Sequence, residues 1–225
     1  MKHKRLYIIF SVAVISIVMN LVDGVMTPPY AVKSAIKLLL FVGVPLIFYL
    51  TDREERAALK KLLTPSKKGF ALSLPLGAGC FAVILGAFFL LRDAVDFSGI
   101  TKSLTGDSGI TAENFIFVAL YISFVNSFLE EFFFRGFAFV TLKRHAGKRL
   151  AYFLGAFLFA FYHVGMTITW LPFPVFLAEL TGLTVGGVIF NYLCEKTETV
   201  YPSYIVHMFC NFGINLMGFI LFGVI

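Results

Sequence analysis

Glu130, Glu131, Arg135, His163, His207 and Asn211 are the residues whose types and spacing suit chemistry, and each stands inside an apolar run. A charged side chain in hydrocarbon is costly unless paired or hydrated, so each asks for a reason. Glu131 and Arg135 are four residues apart on one helical face, where they can pair. Glu130 sits about 100° further round the axis and cannot share that face. The ion pair therefore accounts for Glu131 and Arg135 and leaves Glu130 free to point elsewhere. A second apolar segment carries Phe159-Ala-Phe-Tyr-His163, and a third carries His207 and Asn211 at i and i+4. Taken singly, an intramembrane His or Asn needs no more than a hydrogen bond to a neighbouring helix.

Depth ties them together. At about 1.5 Å of rise per residue, Glu130 lies about 20 Å from Lys143 and His163 about 21 Å from Arg149. On the same measure His207 and Asn211 lie about 13 Å and about 20 Å from Glu198. All four fall within roughly two helical turns of one depth. A carboxylate, two imidazoles and a carboxamide in one polar cavity suit the activation of water. A Glu and a His bonded to one water can take its proton as it attacks a carbonyl, then return it to the leaving amine. A second His and an Asn are donors suited to the developing oxyanion. The expected reaction is amide hydrolysis without a covalent intermediate.

Two other chemistries use some of the same residues. Glu130, His163 and His207 form a donor set that zinc accepts, although no HExxH occurs; a metal-free site is the expectation, with zinc the alternative. Cys210 and His207, at i and i+3, would make a thiol protease lacking an orienting third group. The three cysteines, Cys80, Cys194 and Cys210, are dispersed and give no disulfide framework or zinc knuckle.

The elements that position these residues are membrane helices. Of 225 residues 59% are apolar, 28 are Phe and only 14% are charged, whereas a soluble domain carries closer to a quarter charged. The apolar residues fall in blocks of roughly 20, the length that crosses a bilayer. Seven blocks are marked, at about 6–26, 31–50, 70–91, 114–141, 150–168, 171–193 and 201–223. The expected fold is all-α, a polytopic transmembrane helix bundle of about seven spans forming a single integral domain over 1–225. Lys2, Lys4 and Arg5 ahead of the first block imitate a secretory signal, but no small-x-small cleavage pattern follows, so the block is read as a retained span. Lys33 and Lys37 sit near the start of the second block. They are read as snorkelling amines, with Asp23 a partner.

Residues 51–63 read as a short interfacial helix after the second span. Thr51 and Glu54 have capping-box spacing, and Leu59, Leu62 and Leu63 form an apolar stripe. Basic residues before the first span, in 51–69 (Arg53, Arg56, Lys60, Lys61, Lys67, Lys68) and in 143–149 fall on one side if seven spans alternate. The loops 93–113 and 169–174 are acidic or uncharged. The positive-inside rule then puts the N-terminus in the cytoplasm and the C-terminus outside. Because the net charge of +6 sits in clusters at block ends, nucleic acid is not an expected partner; the lipid bilayer is.

Glu130-Glu131-x-x-x-Arg135, Phe159-x-x-x-His163 and His207-x-x-x-Asn211 resemble, in order and spacing, the three motifs of the CPBP (Abi) intramembrane proteases, which include the type II CAAX prenyl endopeptidases. The approach Tyr192-Leu-Cys-Glu-Lys-Thr197 through Tyr201-Pro-Ser203 to His207 is similar too. The resemblance covers about 113–213, a catalytic core of roughly half the chain. It implies that Glu130 and His163 activate the water, that His207 and Asn211 form the oxyanion site, and that Glu131 and Arg135 support them, with Phe159 part of the second motif. It also implies a peptide or membrane-protein substrate and a prokaryotic plasma membrane. Two readings compete with the protease: a noncatalytic self-immunity or binding protein with the same polar core, and a transporter or proton relay. Glu179, inside the sixth block, has no role in the protease reading and is the best witness for a relay.

Overall fold

All seven apolar blocks form helices, which satisfy their own backbone groups and so suit hydrocarbon. The computed structural model describes residues 2–106 and 108–225, apart from the side chain of Lys68. Lys68, counted above with the basic residues of 51–69, lies outside the described side chains. The fold is 83% helical, with no strand among the described residues. In chain order the helices are α1 (Lys2–Met26), α2 (Tyr30–Tyr49), α3 (Arg53–Leu62), α4 (Gly69–Leu91), α5 (Ser98–Thr105), α6 (Phe115–Ala146), α7 (Lys148–Thr167), α8 (Phe173–Thr197) and α9 (Tyr201–Leu221). All but α3 and α5 are long and apolar enough to span a membrane.

The fourth span, expected over 114–141, continues to Ala146. Leu142-Lys-Arg-His-Ala146 stays helical, and Gly147, at φ +85°, ends the helix and starts α7. Inside α6 the backbone widens to five-residue turns over Tyr121–Asn126 and again over Glu131–Thr141. Side chains use the carbonyls so loosened. Ser127 Oγ donates to Ile122 O at 3.0 Å, and Thr141 Oγ1 to Gly136 O at 2.9 Å. Turns of this kind recur at functional sites, and Glu130 and Glu131 sit where the second one begins.

α6 is the hub of the bundle. Phe132, Phe133, Phe134, Phe137 and Phe139 are all buried. Lipid tails are as apolar as Leu, so helices associate in a bilayer through packing and hydrogen bonds. Phe133 stacks on Phe41 of α2 at 4.3 Å, and Phe134 meets Phe159 of α7 edge-on at 5.4 Å. Such ring pairs are worth about 0.5–1.5 kcal/mol each beyond the area they bury.

α1 crosses α7 at glycine. A Cβ on Gly165 would stand 2.4 Å from the Asn20 carbonyl oxygen. At this crossing Asn20 Nδ2 donates to Phe161 O at 2.9 Å, while Gly165 N donates to Asn20 Oδ1 at 2.6 Å. One side-chain amide therefore brackets the turn of α7 that carries His163.

At one end of the bundle the N-terminus, α3, the α6–α7 junction and the α8–α9 turn come together. Glu55 of α3 is fully buried. Its carboxylate meets Lys4 at 2.9 Å, Arg144 at 3.1 Å and His145 at 3.0 Å. The expected capping pair is displaced by one residue: Asp52 caps α3 by accepting from Glu55 N at 2.9 Å, Thr51 Oγ1 donates to Phe48 O, and Glu54 pairs with Arg144. The reason is competition, since Thr51 is drawn back onto the end of α2. The apolar stripe faces the bundle: Leu62 is buried against Gly136, and its carbonyl accepts from Val200 N and Thr199 Oγ1.

Candidate active site

Glu130 and Glu131 from the middle of α6, His163 from the last turns of α7 and His207 from the second turn of α9 converge inside the bundle. Glu130 Oε2 lies 3.8 Å from His163 Nε2 and 3.8 Å from His207 Nε2. This oxygen is buried and has no hydrogen-bond partner. Neighbours fix both rings. His163 Nδ1 is 2.8 Å from Phe159 O, and His207 Nδ1 is 2.9 Å from Glu131 Oε1. A carbonyl and a carboxylate can only accept, so both Nδ1 atoms carry protons. In neutral rings the two Nε2 atoms are then acceptors, facing a third acceptor in Glu130 Oε2. Three lone-pair atoms share a point only if a proton or a bridging donor lies among them, and 3.8 Å is a separation that one water spans.

The other carboxylate oxygen is saturated. Glu130 Oε1 accepts from Asn126 Nδ2 at 2.8 Å, Tyr162 OH at 3.1 Å and Lys37 Nζ at 3.3 Å. Lys37 corrects the snorkelling expectation. Lys33 does pair with Asp23, at 2.7 Å, but Lys37, one turn on, is buried and turned inward to Asn126 and Glu130. Sequence reasoning counted it as a charge near a helix end. The buried acceptors opposite it on α6 are what draw the ammonium inward, and they become visible only once α2 and α6 are docked.

Arg135 is fully buried, and its guanidinium lies 3.1 Å from Glu131 Oε1 in the expected i, i+4 pair. The angle is not that of a hydrogen bond, and none of its three nitrogens has one. Aromatic faces cover it instead, Phe159 at 3.9 Å and Phe190 at 4.8 Å. Phe159 thus supplies its carbonyl to His163 and its ring to Arg135.

Asn211 points elsewhere. Its Nδ2 donates to Ser127 Oγ at 2.7 Å and to Ile122 O at 3.4 Å, both on α6. Its bonds run to the α6 backbone and hydroxyl rather than to either imidazole. Glu179 stands beside Thr167, four residues beyond His163, with Oε2 buried and unbonded. Cys210 is a half-buried free thiol, and both nitrogens of His207 face carboxylates. That leaves no imidazole for a thiol nucleophile. Sequence reasoning missed Asn126 and Tyr162. Their signals were spacing, since Asn126 is four residues before Glu130, and adjacency, since Tyr162 is next to His163.

Residues 112–213 match the family model described as type II CAAX prenyl endopeptidase Rce1-like. No curated protein and no solved structure matches the chain. The matched stretch contains Glu130, Glu131, Arg135, His163, His207 and Asn211, while Asn20 and Lys37 precede it. Residues 112–213 of this multi-pass membrane chain are thus similar to the type II CAAX prenyl endopeptidase Rce1-like family, a family of proteases.

Proposed function

We propose that this protein is an intramembrane endopeptidase in which water held between Glu130 and His163 attacks a peptide carbonyl. The observation that carries the reading is Glu130 Oε2, facing two imidazole nitrogens at 3.8 Å with no bond of its own. A water there donates one proton to Oε2 and the other to His163 Nε2. As its oxygen bonds to the carbonyl carbon, its proton passes to Glu130. Collapse of the tetrahedral intermediate breaks the C–N bond, and the Glu130 carboxyl returns the proton to the leaving nitrogen. His207 stabilises the oxyanion in its imidazolium form, donating from Nε2, with Glu131 balancing the charge at Nδ1. Asn211 joins it by turning the amide hydrogen of its longer bond, to Ile122 O at 3.4 Å, toward the same oxygen.

The reading is metal-free. The carboxylate that zinc would use also carries the Lys37 ammonium. The protein sits in a prokaryotic plasma membrane with its N-terminus cytoplasmic. The end that gathers Lys4, α3, Arg144 and Lys148 is the cytoplasmic face, by the positive-inside rule.

The experiment is cleavage of a peptide panel by purified protein in lipid nanodiscs, with and without chelator. Cleavage that resists chelator and disappears in Glu130→Gln and in His163→Ala supports the reading; full activity in either variant sinks it. Loss on chelation restored by zinc sinks its metal-free part. A second reading, a proton relay, is favoured by the unbonded Glu179 Oε2 next to the turn carrying His163. Proton flux in liposomes that stops in Glu179→Gln, with no peptide cut, would replace the protease.

A further inference from the structure

Lys37 lies outside the stretch that matches the protease family, yet it reaches the carboxylate at the centre of the site. It is buried, and its side chain is only 10% exposed. A buried ammonium costs several kcal/mol unless it is paired and bonded, and Lys37 stands seven residues, about 10 Å, inside α2. Lys33, one turn earlier, is held by Asp23 instead. Lys37 turns inward. Its Nζ lies 2.6 Å from Asn126 Oδ1 and 3.3 Å from Glu130 Oε1, over the Tyr162 ring at 5.0 Å from the centroid.

The arrangement has a direction. Asn126 accepts from Lys37 through Oδ1 and donates to Glu130 Oε1 through Nδ2, so the amide is oriented by the two charges on either side of it. Tyr162 OH adds a third donor to the same oxygen. The terminal torsion of a Glu is broad and nearly two-fold, so nothing within the side chain itself decides which oxygen faces the histidines. Three donors on one side decide it.

We infer that Lys37 is a positioning residue for hydrolysis: with Asn126 and Tyr162 it anchors Glu130 Oε1, so that Oε2 is presented to His163 and His207. The inference rests on the reading of Glu130 as the group that activates water, and it makes the second span part of the catalytic unit. A residue serving only to neutralise buried charge would change the amount of folded protein. A positioning residue changes turnover.

The test uses full-length protein in nanodiscs and a fluorescence-quenched peptide that the unaltered protein cuts. Lys37→Met lowers kcat by about 100-fold, with KM within about twofold and the melting temperature nearly unchanged. Lys37→Arg, which restores a cation, recovers most of the loss. Unaltered kcat in Lys37→Met overturns the inference, as does an equal fall in Lys37→Met and Lys37→Arg. Should Lys37→Met fail to fold, Tyr162→Phe decides, since it removes one donor from Oε1 without changing charge. A drop in kcat at constant KM supports the inference and an unchanged kcat overturns it. Activity in Glu130→Gln would instead sink the water-activation reading, so the two failures are told apart.

Discussion

His207 Nδ1 lies 2.9 Å from Glu131 Oε1, and the same carboxylate oxygen is 3.1 Å from the Arg135 guanidinium. Glu131 is thereby tied both to the helix it sits on and to α9. It fixes the orientation of the ring that faces Glu130 and offers charge to balance an imidazolium. Glu131→Gln alone would leave Arg135 as an uncompensated buried cation, which costs about 3–5 kcal/mol, so loss of activity in that variant would be ambiguous. The informative variant is Glu131→Gln with Arg135→Met. It is expected to keep its melting temperature near that of the unaltered protein and to lose turnover by at least about tenfold. Near-normal turnover in the double variant would show that Glu131 does nothing beyond neutralising Arg135.

Much of this geometry was legible in the sequence because helices make depth a simple function of residue number. Glu130, His163 and His207 were placed at one level by counting from flanking charges, and they meet. Orientation was less legible. Asn211 shares a helical face with His207 but hydrogen-bonds Ser127 and Ile122. Both bonds depend on the widened turn of α6, which no periodicity announces. Lys37 and Asn20 act on neighbours 93 and 145 residues away in sequence, and only the docking of α1 and α2 against α6 and α7 makes those contacts visible.

The α1–α7 crossing gives a test of that docking. A methyl group at Gly165 meets backbone at 2.4 Å, which cannot yield as a side chain would. Gly165→Ala is therefore expected to destabilise the protein by about 1–3 kcal/mol and to reduce turnover by disturbing the turn that holds His163. Gly182, in α8, has nothing within 4 Å of an added Cβ, so Gly182→Ala should be neutral or stabilising by up to about 1 kcal/mol. Thermal melting in one detergent compares them. Equal melting temperatures would mean that α1 and α7 are not in close contact.

The carboxylate of Glu55, fully buried among Lys4, Arg144 and His145, is expected to hold α3 onto the bundle. Its removal in Glu55→Ala leaves cations without their partner and costs about 3–5 kcal/mol. The Lys61–Glu198 pair on the same end has side chains 65% and 56% exposed, and breaking it with Glu198→Ala should cost about 0–1 kcal/mol. Protease sensitivity of the 51–66 segment reads both. Comparable cleavage in the two variants would contradict the ranking.

Acid should loosen the same end. The Lys4 ammonium hydrogen-bonded to Asp52 holds its carboxyl below the ordinary value of 3.8, and Lys61 does the same for Glu198 below 4.5. A carboxyl depressed in the folded state contributes stability that is present above its unfolded pKa and lost as pH falls through the folded one. Melting temperature should therefore decline as the buffer is taken below about pH 4, and salt should flatten the decline because both pairs reach solvent, Lys61–Glu198 more than Lys4–Asp52. Asp52→Asn should show a shallower slope. An identical acid profile in that variant would remove Asp52 from the account.

Ser127 and Asn211 separate two roles for the carboxamide. If Asn211 only ties α9 to α6, its bond to Ser127 Oγ at 2.7 Å is its contribution, and Ser127→Ala and Asn211→Ala should lower the melting temperature together while leaving kcat alike. If the amide turns to meet the oxyanion, the two variants part. Asn211→Ala then loses about 10²–10³ in kcat, the usual cost of one oxyanion donor. Ser127→Ala, which frees an amide hydrogen, keeps turnover. Divergence is the expected result, because the second amide hydrogen is held only by the 3.4 Å contact with Ile122 O, the weaker of the two bonds and the cheaper to give up when negative charge develops nearby. Parallel behaviour would leave His207 as the donor on α9 and assign Asn211 to the packing of the bundle.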